Sequence, residues 1–282
     1  MTRLIQGIAH PIRSTRRLLA SVKQFIPQSE ERISRDATKF WSSSDKSDRI
    51  KQLSHWLGKG KWSDEQRWTR LGQMNFDRFE QLCLLANTTR PIRSMIEWGP
   101  GGGANAVQFC SEVERFIGVD ISMANLAESL RQLESRGFDE FQPIWIKSEK
   151  PEQVLDYVDF PVDFFLSTSV YQHFPSKDYG VRVTKLAYQL LSEEGVALIQ
   201  IRYDDGSKKF KPKRRDYHQN GITFTSYHLD EFWHIALQIG FNPLCITLDS
   251  SCYAYYFLKK GKVDAARMRS GKLITKNAKR YK

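Results

Sequence analysis

Residues Met95–Asp120 read MIEWGPGGGANAVQFCSEVERFIGVD. An apolar run, Met95, Ile96 and Trp98 around Glu97, breaks into glycines at 99, 101, 102 and 103 and resumes as small residues from Ala104 toward Cys110. That pattern predicts strand, turn and helix. A second apolar stretch, Phe116 to Val119, ends on Asp120. Glycine permits positive φ and close passage of the chain past a ligand, and the following helix turns free N–H groups back toward the loop. Glu97 and Asp120 would then lie near the carboxyl ends of neighbouring parallel strands, where an open α/β sheet binds its ligand.

The surrounding chain extends this alternation. Helices are expected at about 125–136, 151–158, 176–191 and 226–239. Strands are expected over 142–147, in PVDFFLSTS (161–169) and in GVALIQIRY (195–203). The 161–169 run is almost wholly apolar, as a strand covered on both faces must be. NPLCITL (242–248) and CYAYYFL (252–258) are separated by only a few residues, so they must pair antiparallel. The fold class expected is α/β: a Rossmann-like, seven-stranded, mostly parallel sheet with a C-terminal antiparallel hairpin and a helical N-terminal extension.

Gly99, Gly101 and Ala104 also satisfy a dinucleotide fingerprint, GxGxxA. The terminal hairpin argues against that fold. ExGxGxG followed by a strand ending in Asp resembles the cofactor motif of class I S-adenosylmethionine-dependent methyltransferases, and the resemblance runs from about Arg93 to Lys260. It implies a cofactor, S-adenosylmethionine, placed by Glu97 and the Gly99, Gly101 and Gly103 backbone. It further implies that Asp120 holds the ribose hydroxyls, that Ile121 or Met123 packs on the adenine, and that Ser167 begins the stretch facing the sulfonium. Many relatives carry Asp after the third strand to accept from the adenine amino group; here the chain reads IKSE, so Ser148 or a backbone carbonyl takes that place. The N/D-P-P-Y/F signature of exocyclic base methylation is missing; STSVYQHF stands there instead. A narrower likeness, WSDExxW ahead of EWGxGGGANA, is to bacterial enzymes of polysaccharide or natural-product pathways.

His173 is the candidate general base, since imidazole titrates near neutrality; the alternative is a structural hydrogen-bonder. The long segment 204–223 holds Lys208, Lys209, Lys211, Lys213, Arg214 and Arg215 among aromatic residues, a length that points to function. It reads as a lid over an acidic acceptor, a small molecule or glycan, with Tyr171, Arg202, Lys211, Arg214, Arg215 and Tyr217 as substrate contacts; the alternative is a solvated charged loop.

The 282 residues suffice for one α/β domain with appendages. Cys83, Cys110, Cys245 and Cys252 form no CxxC pair and fall on apolar patterns, which implies buried thiols, a reducing cytoplasmic setting and no metal. The net charge of +11 is concentrated at the ends: residues 259–282 contribute +9 and residues 1–26 contribute +5, which leaves −3 for the rest. The domains expected are an extension over 1–53, a methyltransferase domain over 54–260 and a basic tail over 261–282. Within the extension, 1–26 is a basic amphipathic helix that packs on the domain, lies on an anionic membrane or serves as a transit peptide, and 34–50, rich in Ser, Asp and Lys, reads as a linker. Within the domain, 54–90 is a helical edge element, capped by Ser63 or Asp64, that roofs the cofactor. Trp56, Trp62 and Trp68 anchor its packing. The tail could attract nucleic acid or anionic lipid. Two further readings stand beside the small-molecule one: an RNA or protein methyltransferase that docks through the tail, and a non-catalytic protein that binds the cofactor as a structural ligand or sensor.

Overall fold

The computed structural model describes residues 28–43, 47–88, 91–208, 210–212, 216–249 and 252–262. The helix expected over 1–26, Arg214, Arg215 and nearly all of the basic tail lie outside these residues.

The sheet has seven strands: β1 (Ser94–Trp98), β2 (Arg115–Asp120), β3 (Phe141–Trp145), β4 (Val162–Ser167), β5 (Leu191–Arg202), β6 (Asn242–Leu248) and β7 (Tyr253–Lys259). Their order is β3-β2-β1-β4-β5-β7-β6. The first five run parallel, and β7 runs antiparallel to both β5 and β6, which is the expected terminal hairpin. Strand periodicity sorts the side chains into two cores. Ile96, Ile117, Val119, Phe165, Ala197, Ile199 and Tyr256 face one side, and Met95, Phe116, Phe164, Leu166, Leu198 and Phe257 face the other.

Helices cover both faces. One face receives α3 (Glu65–Ala86), α4 (Ala106–Phe109) and α5 (Met123–Glu134) through Phe79, Leu82, Phe109 and Leu133. The other receives α6 (Lys177–Leu190) and α8 (Leu229–Ile239) through Val183, Ala187, Phe232 and Ala236. Local sequence sets the helix starts: Asp64 accepts from the Arg67 N–H, Ser122 from Asn125 and Ser176 from Tyr179. Each satisfies a backbone donor that the first helical turn leaves open.

The segment expected to be a linker differs. It contains α1 (Glu30–Trp41) and α2 (Asp48–Leu53), whose Ile33, Ala37, Phe40, Trp41 and Ile50 form a buried cluster with Tyr217 and Phe224. Of the polar residues of 34–50 that lie on α1, only Arg35 and Lys39 are exposed; Ser34 is buried, and the remaining serines of 34–50 lie beyond the helix. Positions 33, 37, 40 and 41 form one helical stripe that the composition hides. The extension and the catalytic-type domain therefore share a core across the expected boundary at residue 53. The 204–223 segment likewise contains a short helix, α7 (Tyr217–Asn220), and one turn of 3-10 helix over 221–223.

Candidate functional site

The glycine turn is tight for two separate reasons. Gly99, Gly101 and Gly103 have φ of 78°, 57° and 82°, values that favour glycine. The turn is also pressed from above: a Cβ on Gly101 would come within 2.5 Å of the Ser54 carbonyl oxygen, and one on Gly102 within 2.5 Å of the His55 oxygen. The Gly102 N–H donates to the Ser54 oxygen at 2.6 Å. A second strand of chain, residues 54–56, thus lies across the turn, and Trp56 Nε1 reaches down to Asn125 Oδ1 at 3.0 Å.

Beneath the turn, Glu97 is only 1 % exposed. Asn105 Nδ2 donates to its Oε1 at 2.6 Å, and Asn75 Nδ2 donates in turn to Asn105 Oδ1 at 2.8 Å. Among the described residues, Oε2 is buried with no partner. Burial pushes the Glu97 carboxyl up to about 8; the Asn105 donor opposes that rise and the nearby Asp120 adds to it. At the end of β2, Asp120 accepts from the Ser122 N–H at 2.8 Å and from Asn125 Nδ2 at 3.3 Å. Burial raises it to about 6 against these donors.

Between turn and roof is a cleft of about 760 Å³, a figure that includes the open space at its mouth. Gly99, Gly101, Asp120, Ile121, Ile146 and Ser148 line one end. Thr168, Ser169, Val170, His173, Phe174, Tyr179 and Tyr217 line the other. Ala37, Trp41, Leu53, Ser54 and His55 line it from the extension. Ser148 also bonds to α1: its Oγ is 2.7 Å from Thr38 Oγ1 and donates to the Ser34 oxygen at 2.9 Å.

The expected residues therefore divide. Gly99, Gly101, Asp120, Ile121, Ser148, His173 and Tyr217 come together around the cleft. Glu97 lies under its floor, and Gly103 turns instead toward Ser129 of α5. Met123 is 70 % exposed at the start of α5, and Ser167 Oγ donates to the Trp98 oxygen within the sheet. Tyr171 is buried, its hydroxyl 3.0 Å from Thr184 Oγ1, and so belongs to the core. Arg202 is buried as well, donating to the Phe210 oxygen and Ser226 Oγ at 2.6 Å each; it anchors the 204–223 segment. Lys211 is exposed.

His173 is held on several sides. Nδ1 donates to the Gly221 oxygen at 2.8 Å, Nε2 faces Gln172 Nε2 at 3.2 Å, and Trp41 stands edge-on at 4.7 Å between ring centres. Burial lowers it to about 4, so the imidazole is neutral near pH 7. The Tyr217 hydroxyl accepts from Trp41 Nε1 and donates to the His173 carbonyl oxygen, 2.9 Å in each case. Trp41, Leu53, Ser54 and His55 were outside the sequence reading of the site. Of these, Trp41 had a signal in the 33/37/40/41 stripe, which would have marked α1 as packed, while Ser54 and His55 begin the 54–90 element expected to roof the cofactor.

No protein-family model and no curated protein sequence matches the chain. Solved structures do resemble it. An S-adenosylmethionine-dependent methyltransferase from Clostridium acetobutylicum aligns over 71% of this chain and 93% of its own at 14% identity, with a TM-score of 0.51. A protein from Galdieria sulphuraria described as a sarcosine dimethylglycine methyltransferase aligns over 68% and 86% at 12% identity, TM-score 0.52. One from Bacillus halodurans described as a methyltransferase aligns over 65% and 100% at 13% identity, TM-score 0.50. With the strand order and the reversed β7 already in hand, these likenesses establish that the chain has the Rossmann-like fold of class I S-adenosylmethionine-dependent methyltransferases.

Proposed function

We propose that the protein is an S-adenosylmethionine-dependent methyltransferase acting on a small-molecule or glycan acceptor. The observation that carries this reading is Asp120, a carboxylate at the end of β2 that lines the cleft beside the glycine turn. The residues fit the cofactor. Asp120 has acceptor capacity left for two ribose hydroxyls, Ile121 and Ile146 offer apolar contact to an adenine, and Ser148 stands at its rim. The unpartnered Glu97 Oε2 under the floor can take the cofactor's amino group, which would also settle a carboxylate that is costly to bury alone. When bound, the cofactor supplies a methyl group on a positively charged sulfur. The chain's own task is to align the acceptor and keep water out, and the aromatic walls of Trp41, Phe174, Tyr179 and Tyr217 serve both ends.

Among the described residues, none lining the cleft is Lys or Arg. The acidic acceptor expected from the 204–223 cations thus draws no support from the described residues, and the walls favour an uncharged acceptor with an apolar body. His173, its ring nitrogens engaged, fits better as part of the wall than as the base. The test is to incubate the protein with methyl-labelled cofactor and a cell extract split into small-molecule, protein and nucleic-acid fractions. The label is expected among small molecules. Label only in protein or nucleic acid would replace the acceptor class, and binding of the cofactor with no transfer in any fraction would remove the enzymatic reading.

A further inference from the structure

Almost every polar side chain around the cleft is already committed. Asp120 and Asn125 bond to each other, and Asn125 also receives Trp56. Ser148 is tied to Thr38 and Ser34, Thr168 to Asn105, Ser169 to Gln200, and Tyr217 to Trp41 and the His173 carbonyl. His173 itself is held by Gly221.

Two adjacent roof residues differ. Ser54 is 6 % exposed and its Oγ is buried with no hydrogen-bond partner among the described residues. The His55 ring leans edge-on against Trp62, 4.9 Å between centres, and among the described residues neither ring nitrogen has a hydrogen-bond partner. Both residues line the cleft. An orphaned polar group in a buried position costs free energy unless something satisfies it; that holds for the Ser54 hydroxyl, whereas His55 is half-buried. His55 is also held deliberately: its φ is +59°, its carbonyl accepts from Trp68 Nε1 at 2.6 Å, and its backbone presses on Gly102. Backbone strain of this kind gathers at ligand sites when the surroundings enforce it. Burial, with the Lys61 ammonium nearby, keeps the ring neutral, so it offers one donor and one acceptor.

We propose that Ser54 and His55 form the recognition pair for the acceptor, reading a neutral hydroxyl on an aromatic or similarly apolar body that packs against Trp41, Phe174 and Tyr217. The imidazole accepts the hydroxyl proton in a hydrogen bond, and the Ser54 hydroxyl donates to the same oxygen. This rests on the methyltransferase reading and names the acceptor chemistry of that site.

The test uses the full chain with S-adenosylhomocysteine at saturation and two probes, 2-naphthol and its hydroxyl-capped partner 2-methoxynaphthalene, with binding followed by ligand-observed NMR. The free naphthol should bind about tenfold or more tightly than its ether, the scale of one or two hydrogen bonds to groups otherwise left unsatisfied. His55→Asn, a residue that tolerates positive φ, should reduce that ratio to about twofold, and Ser54→Ala should reduce it by a smaller factor; circular dichroism checks that both variants fold. Equal binding of the two probes, no binding of either, or an undiminished ratio in His55→Asn would overturn the pair. Loss of S-adenosylhomocysteine affinity in His55→Asn with the ratio intact would assign the ring to the cofactor instead and also overturn it. If the wild-type protein fails to bind S-adenosylhomocysteine, the methyltransferase reading fails first, and the two failures are told apart.

Discussion

The floor and the roof of the cleft are built on opposite terms. The floor, β1 to β2 with its glycine turn, is fixed by a run of 26 adjacent residues from Met95 to Asp120, and its geometry follows from backbone conformation. The roof, α1 with residues 53–55, is fixed by partners far along the chain: Trp41 bonds to Tyr217 across 176 positions and Thr38 to Ser148 across 110. Local rules act on the first and tertiary packing on the second. What the pair teaches is that one side of the cleft is set by a contiguous run of sequence and the other by contacts between segments far apart in the chain.

The largest expected effect tests whether the roof is truly structural. Trp41 is 9% exposed and packs on Phe40 and His173, so Trp41→Ala should cost about 3–5 kcal/mol in urea denaturation, the range for a large aromatic lost from a core. A loss below about 1 kcal/mol, the size of a surface change, would mean that the roof is an appendage after all. On the floor, Asp120→Ala should weaken S-adenosylhomocysteine binding about a hundredfold, or about 2.7 kcal/mol, while leaving the fold intact. A change within about threefold, some 0.7 kcal/mol, would show that the carboxylate does not touch the nucleoside.

How much could be read in advance follows the same division. Gly99 and Gly101 were legible because positive φ leaves a mark on residue identity, and Asp120 because a strand end fixes its position. Ser148 was legible as a departure from a pattern. Ser54 and His55 were not, since their part depends on the chain crossing over Gly101 and Gly102. Tyr171 and Arg202 show the reverse error. Tyr171 comes just after β4 and Arg202 ends β5, yet Tyr171 turns into the core toward Thr184 and Arg202 toward Phe210. Residues 34–50 were misread because polar composition was given more weight than the spacing of four apolar positions.

Two smaller effects sharpen the comparison. Glu97 binds a proton in the folded state up to about 8 but in the unfolded chain only up to about 4.5. The folded state therefore holds more protons across that window, and its stability must fall as pH rises. Asp120 adds a similar fall only up to about 6, and the lowered His55 and His173 act oppositely below 6.5. From pH 6.5 to 8, then, Glu97 should cost the cofactor-free protein about 2 kcal/mol. Glu97→Gln should flatten that decline in thermal melts; an unchanged slope would show that the carboxylate is solvated. Last, Thr38→Val cuts one roof-to-floor hydrogen bond and should cost about 0.5–1.5 kcal/mol by denaturant titration. No change would show that the Thr38 contact adds nothing beyond the bond Ser148 already gives to the Ser34 oxygen.

The central claim is that the glycine turn, with Asp120 beside it and Glu97 below, holds the amino acid and ribose of a sulfur-bearing nucleoside. Titration calorimetry of the full chain against S-adenosylhomocysteine and against NAD tests it most directly. The account predicts saturable heat at one site with the first and none with the second. Heat from NAD alone would contradict it.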